Sequence, residues 1–239
     1  MGLSHAPIAA FRQGAIGALK LPAWIVGASL MGVGPLARDV GFPFLGAILS
    51  TVLVWAGPAQ VVFFATLGAG ASVPAIALAV TLTAIRLTPM TASLMPHLRA
   101  GGASRATLLA ASHFVAVTTW VESMRRLPAL PPEIRLPYFF GFGAACMAVA
   151  TCFTAVGYAL AGEVPASIGA GLLFMTPTFF TLSLLRGASI RADWLAIGAG
   201  FALTALFGIW LGPAAALFLA GLLGGTAAFM VERAQSEEQ

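Results

Sequence analysis

Between Val40 and Ile85 the chain runs for 46 residues without a charged side chain. A helix crossing the hydrocarbon core of a bilayer needs about 20 such residues, so this run alone is long enough for two crossings. Further uncharged runs fall at Leu21–Ala37, Leu87–Leu98, Ala106–Val121, Leu136–Gly162, Val164–Leu185 and Trp194–Val231. The last is again long enough for two, with Gly212-Pro213 as the joint. At 59% hydrophobic and 8% charged residues, the chain has too little polar surface to cover a water-soluble globule. The runs lack the polar–apolar alternation of barrel strands, and helices are the other way to satisfy backbone groups in lipid. The expectation is an all-α polytopic transmembrane helical bundle of about eight spans, forming one integral membrane domain over residues 1–239. The count falls to seven if Ala106–Val121 does not cross.

Charge placement orients this bundle. With the N-terminus in the cytoplasm and eight crossings, Arg12, Lys20, Arg125, Arg126, Arg135, Arg186, Arg191 and Arg233 fall inside, whereas only Arg38, Arg99 and Arg105 fall outside. That bias follows the positive-inside rule and places both termini in the cytoplasm. The formal charge of +4 is therefore read as orientation, with no nucleic-acid partner implied. The first apolar run follows Arg12 and Lys20 as a signal peptide would. No small-x-small pattern ends it, so it reads as a retained helix.

A faint internal repeat runs through the chain. "KLPAWIVGASLM" (Lys20–Met31) resembles "RLPYFFGFGAACM" (Arg135–Met147), and "LGAIL" (Leu45–Leu49) resembles "IGAGL" (Ile168–Leu172). "GPAQVVFFATLGAGASV" (Gly57–Val73) resembles "TPTFFTLSLLRGASI" (Thr176–Ile190). The repeat halves would be 14–98 and 136–211, each a three-helix unit, joined by a linking helix over 106–122. Such an arrangement gives the halves the same orientation and puts Pro58 and Pro177 at matching positions. Paired interruptions of this kind point to a transporter's binding site, where exposed half-helix ends meet substrate near mid-bilayer. Ordinary kinks are the alternative, since Pro and Gly are common in membrane helices.

Arg86 is the most informative residue. It stands near the centre of the apolar stretch Pro74–Leu98, where a charge costs ~2.5–3.5 kcal/mol on insertion scales. Asp39, Glu122, Glu133, Glu163 and Asp193 all lie at or beyond the ends of apolar runs. A buried guanidinium without a fixed counter-charge suits a site whose carboxylate arrives as a ligand; the alternative is a side chain that snorkels or donates to carbonyls freed near a proline. Gln60, just after Gly57-Pro58, reads either as a substrate contact or as an interhelical hydrogen bond. Thr176 flanks Pro177, where its hydroxyl would contact substrate or satisfy the kinked backbone. His113 could relay protons, although an interhelical hydrogen bond is the plainer reading. His97 sits after Pro96 at a helix end and reads as interfacial. Cys146 and Cys152, six apart in one run, point to different helix faces and cannot staple the fold. No phosphate-binding, zinc-protease or nucleophile-elbow motif is present, so the expectation is a protein that is not an enzyme, with no cofactor and no metal.

Three stretches together resemble a known family. "WAGPAQVVFFATLGAG", then "LTAIRLTPMTASLMPHL", then "WVES" are similar in order and spacing to "FAGAAQF", "NLRH" followed by "ASLAPHL", and "TDES" in the AzlC family. These are the large subunits of branched-chain amino acid exporters. The resemblance implies a secondary transporter in the bacterial inner membrane that exports valine, leucine, isoleucine or similar small neutral amino acids, usually with a small AzlD-type membrane subunit. Homo-oligomers fit the same picture. By position, Gly57 and Gln60, Arg86, then Ser93, Pro96 and His97, then Glu122 and Ser123 fall on the family's motif residues. Ala84, Leu87 and Val121 stand where the family has Asn, His and Asp, and Pro58 and Pro177 are also departures, so the chain reads as a divergent member. Arg86, Gln60, Gly57, Pro58, Thr176 and Pro177 are the expected substrate contacts, with His113, Glu122 and His97 as relay or gating residues. A channel for small solutes and a non-transporting membrane subunit are the competing functions.

Overall fold

A computed structural model describes residues 6–161, 191–211 and 213–237, with scattered positions between 163 and 188. The described residues form α-helices, joined by short turns and one 3-10 turn at Leu127–Ala129. The first arm consists of α1 (Ala6–Lys20), α2 (Pro22–Met31) and α3 (Val33–Asp39), with a 57° bend after Lys20. Pro22 lies in the first turn of α2, where its missing N–H would have no intrahelical partner. There follow α4 (Phe44–Val54), α5 (Gly57–Gly68), α6 (Val73–Ala84), α7 (Leu87–Arg99), α8 (Arg105–His113) and α9 (Val117–Arg126). The longest helix is α10 (Pro132–Ala159), and α11 (Arg191–Leu211) and α12 (Pro213–Glu237) complete the described chain.

Among the described residues, α10 and α11 are each long and apolar enough to cross a membrane. Counting the bent pairs α1 with α2–α3 and α6 with α7 as single spans brings the number to four. The protein is thus a helical membrane protein.

Its centre is the seam between α10 and the first arm. A Cβ on Gly14 would lie 2.1 Å from the Tyr138 carbonyl oxygen, and one on Gly141 would lie 2.0 Å from that of Phe11. Further along, a Cβ on Gly157 would lie 1.9 Å from the Met31 carbonyl oxygen, and one on Gly34 would lie 2.1 Å from the Tyr158 nitrogen. No side chain fits at any of the four positions, so the backbones touch directly, as small residues allow in membranes. Because residue numbers rise together on both sides, the arm and α10 run in the same direction.

Polar groups fasten the far end. The Arg38 guanidinium donates to the carbonyl oxygens of Tyr158, Ala159 and Ala161 at 3.3, 3.4 and 2.8 Å, a cation on the carbonyls that the end of α10 leaves free. Tyr158 Oη donates to the Phe42 carbonyl oxygen at 2.7 Å.

Two apolar clusters flank α10. One gathers Leu30, Val33, Phe64, Phe142 and Cys146; the other gathers Leu94, Leu98, Leu108, Leu127 and Phe139. Cys146 is buried, Cys152 is exposed and both are unpaired, as the sequence indicated. At the periphery α11 and α12 pack on each other, and α12 touches α6. Trp194, Phe201, Ile209 and Trp210 of α11 are exposed, a surface suited to hydrocarbon.

Candidate substrate site

Three helical pairs break near their midpoints. In the first, α4 ends at Trp55, whose φ of 45° makes it the one non-glycine residue with positive φ among those described. Ala56 is extended and α5 begins at Gly57. Pro58 is the cause: its nitrogen cannot donate to the Val54 carbonyl and its ring would collide with it. The helix therefore stops and restarts with proline in its first turn. In the second pair, α6 and α7 meet at a 52° bend with Arg86 13 residues from both Val73 and Arg99. Pro89, four residues after Ile85, likewise removes a rung of the ladder. In the third, α8 and α9 part at Phe114–Ala116 with neither glycine nor proline. Here the Thr119 hydroxyl accepts from the Ala116 N–H at 2.8 Å and donates to the Phe114 carbonyl oxygen at 2.7 Å, replacing lost backbone partners.

The three breaks meet at one small cavity of about 50 Å³. Its wall takes Trp55, Ala56, Gly57 and Pro58 from the first break, Arg86 and Leu87 from the second, and Ala116, Val117 and Thr118 from the third. Val26 and Leu30 of α2 close it. No side chain at the N-cap position satisfies the first turn of α5 or α9. Each helix start carries the equivalent of about half a positive charge and offers free N–H groups to an anion. Arg86 is exposed overall and adds a full charge. Chemically the arrangement suits a small anionic group beside apolar walls.

The AzlC protein family model matches residues 23–164, more than half of the chain, and spans all three breaks. The chain belongs to the AzlC family. No curated protein and no solved structure gives a significant match.

In this AzlC chain the expected residues separate into two groups. Gly57, Pro58 and Arg86 come together in the cavity wall. Gln60 is fully buried behind it: its Nε2 donates to Ser50 Oγ at 3.1 Å and Thr51 Oγ1 at 3.0 Å. Thr51 Oγ1 lies 2.9 Å from Thr154 Oγ1 of α10, so the amide ties the first break to the central seam. Among the described residues two buried side-chain polar atoms have no hydrogen-bond partner, Gln60 Oε1 and the indole nitrogen Nε1 of Trp55.

Glu122 lies away from the cavity. Its carboxylate accepts from Arg125, from Arg126 Nε at 3.3 Å and from Tyr138 Oη at 3.1 Å. Both oxygens are thus engaged. His113 Nε2 lies 2.8 Å from the Val52 carbonyl oxygen, which requires a proton on Nε2 and joins the end of α8 to the end of α4. That is the interhelical hydrogen bond anticipated as its plainer role. His97 is half-buried in the last turn of α7, outside the cavity wall. A larger depression of about 470 Å³, lined by Ala92, Met95, Pro96, Arg99 and Ala100, is an open groove on α7 alone and gathers no converging groups. Thr176 and Pro177 lie outside the described residues.

The linking segment expected as one helix over 106–122 is two helices. The error has a physical source: hydroxyl groups of threonine substitute for the backbone ladder at 114–116, and apolar composition does not register that. The cavity residues Trp55, Ala116, Val117 and Thr118 were not anticipated. The paired Thr118-Thr119 after an apolar residue, a helix-start signal, is the one sequence mark that could have revealed them.

Proposed function

We propose that this AzlC protein is an inner-membrane secondary transporter exporting branched-chain or other small neutral amino acids. One observation carries the reading: Arg86 and the starts of α5 and α9 converge on a single cavity at the midpoints of three broken helices. AzlC membership supports the substrate class.

In this reading the substrate carboxylate meets the Arg86 guanidinium and the free N–H groups of Gly57 and Val117. Carbonyl groups at the end of α4 face the ammonium group, and Val26, Leu30 and Leu87 accommodate an aliphatic side chain. Gln60 holds the first break in shape from behind, and Thr176 and Pro177 contribute further substrate contacts. His113, Glu122 and His97 act from outside the cavity wall, His113 through its hydrogen bond to Val52. The small cavity represents a contracted state, and rocking of the repeat units 14–98 and 136–211 about the breaks opens it to either side.

Eight spans with residues 12, 20, 125, 126 and 135 on the cytoplasmic side complete the proposal. The parallel course of the first arm and α10 favours it, because two parallel spans require an odd number of crossings between them. The pairs α4–α5, α6–α7 and α8–α9 supply three. A small AzlD-type subunit is the proposed partner.

The test is efflux of labelled valine from preloaded cells lacking their own exporters. Vector, this protein, this protein with a small AzlD-type membrane protein, and Arg86→Leu are compared at matched membrane levels. Saturable efflux that Arg86→Leu abolishes is expected. Absence of efflux in every combination, with the protein correctly inserted, removes the amino acid reading; efflux that neither saturates nor exchanges label makes it a channel.

A further inference from the structure

We infer that Trp55 is a substrate-binding residue of this chain, its indole N–H donating a hydrogen bond to the substrate's carboxylate beside Arg86. The inference deepens the transport reading and rests on it.

Four observations meet at this side chain. Trp55 lines the cavity together with Arg86, Gly57 and Pro58. It is 4% exposed, so water in bulk does not serve its nitrogen. That nitrogen is a donor with no acceptor among the described residues, an arrangement that native structures rarely leave without a reason. Finally, its backbone sits at φ 45°, ψ 35°, a left-handed conformation that costs a large non-glycine residue free energy and that clusters at ligand sites. The indole of tryptophan donates and never accepts. Its unmet requirement is therefore for an acceptor, and every other special group in the wall, Arg86 and the starts of α5 and α9, also favours one. A carboxylate satisfies all of them at once. By contrast the other orphaned atom, Gln60 Oε1, belongs to a residue outside the cavity wall. The left-handed turn also ends α4 there, so that Trp55 and the start of α5 both line the cavity.

Trp55→Phe keeps an aromatic ring at the position and removes the donor together with the five-membered ring that carries it. In the purified full-length protein, valine binding is measured by isothermal calorimetry, and indole N–H resonances are followed by NMR in protein carrying ¹⁵N-tryptophan. Trp55→Phe should weaken valine binding about tenfold or more, the size of a hydrogen bond to a charged group, while the variant's thermal stability stays near wild type. Saturating valine should shift the Trp55 indole proton downfield in the wild type. With five tryptophans in the chain, that resonance is assigned by its loss in Trp55→Phe. Should the variant not fold, it is assigned by elimination, using Phe substitutions at Trp24, Trp120, Trp194 and Trp210.

An unmoved Trp55 resonance in protein that binds valine overturns the inference, as does unchanged affinity in a folded Trp55→Phe. If Arg86→Leu also binds valine as wild type does, the carboxylate site itself is wrong. If Arg86→Leu loses binding while Trp55→Phe retains it, only the role of the indole falls.

Discussion

The seam between α10 and the first arm and the ring of breaks around the cavity use small residues in opposite ways. At the seam Gly14, Gly34, Gly141 and Gly157 bring backbone against backbone until a Cβ would stand about 2 Å from main-chain atoms. At the cavity Gly57 is less confined: a Cβ there would meet only the Leu30 Cδ2 methyl at 3.3 Å. Polar groups diverge likewise. Arg38, Tyr158, Thr51 and Thr154 find partners along the seam, whereas Arg86 makes no hydrogen bond or ion pair with the described residues and the Trp55 nitrogen has no acceptor. One region is completed by the chain itself. The other is left incomplete in the direction of an anion, which is what a site for a passing carboxylate requires.

The sharpest way to break this contrast is to add side chains on both sides of it. Gly141→Val and Gly157→Val should abolish assembly, since main-chain atoms cannot yield as side chains do, and size-exclusion chromatography in detergent should show no monodisperse protein. Gly57→Ala should fold, because a flexible leucine end can move aside.

Arg86→Leu comes next and should separate stability from function. Transport should fall at least ~10-fold, in line with loss of a charge-assisted contact. Thermal stability should hold or rise, because a mid-span charge costs ~2.5–3.5 kcal/mol. A variant that unfolds instead would return Arg86 to a structural role.

Gln60→Leu tests the boundary between the regions. Losing donation to Ser50 and Thr51 should destabilise the protein by about 1–2 kcal/mol, with valine affinity changing less than for Arg86→Leu. A thermal melt and the efflux assay, run together, read both. The smallest effect is expected for Tyr138→Phe, which removes one of three donors to Glu122. About 1 kcal/mol of stability should go, with efflux kinetics near wild type.

How much of this was legible varies by residue. Arg86 was, because a lone charge within a long apolar stretch has no solvent to explain it. Pro58 announced the first break, since a proline preceded by helical residues removes one rung of the ladder and crowds the carbonyl four residues back. The third break was not legible, because Phe114-Val115-Ala116 forbids nothing locally and a threonine hydroxyl opens the helix there. Gln60 looked equally suited to cavity or core, and a rotation of one residue about a helix axis separates the two.

Composition and charge spacing alone determined that the chain is helical, membrane-embedded and provided with a lone arginine inside a long apolar stretch. They do so because hydrocarbon tolerates few exceptions: every backbone group must be bonded within a helix, and every charge stands out. Tertiary structure alone decided that three breaks far apart in sequence share one cavity, that Gln60 supports it from behind, and that Trp55 borders it. Those outcomes depend on which helix faces meet, and helix faces meet where glycine contacts and hydrogen bonds between distant segments bring them together.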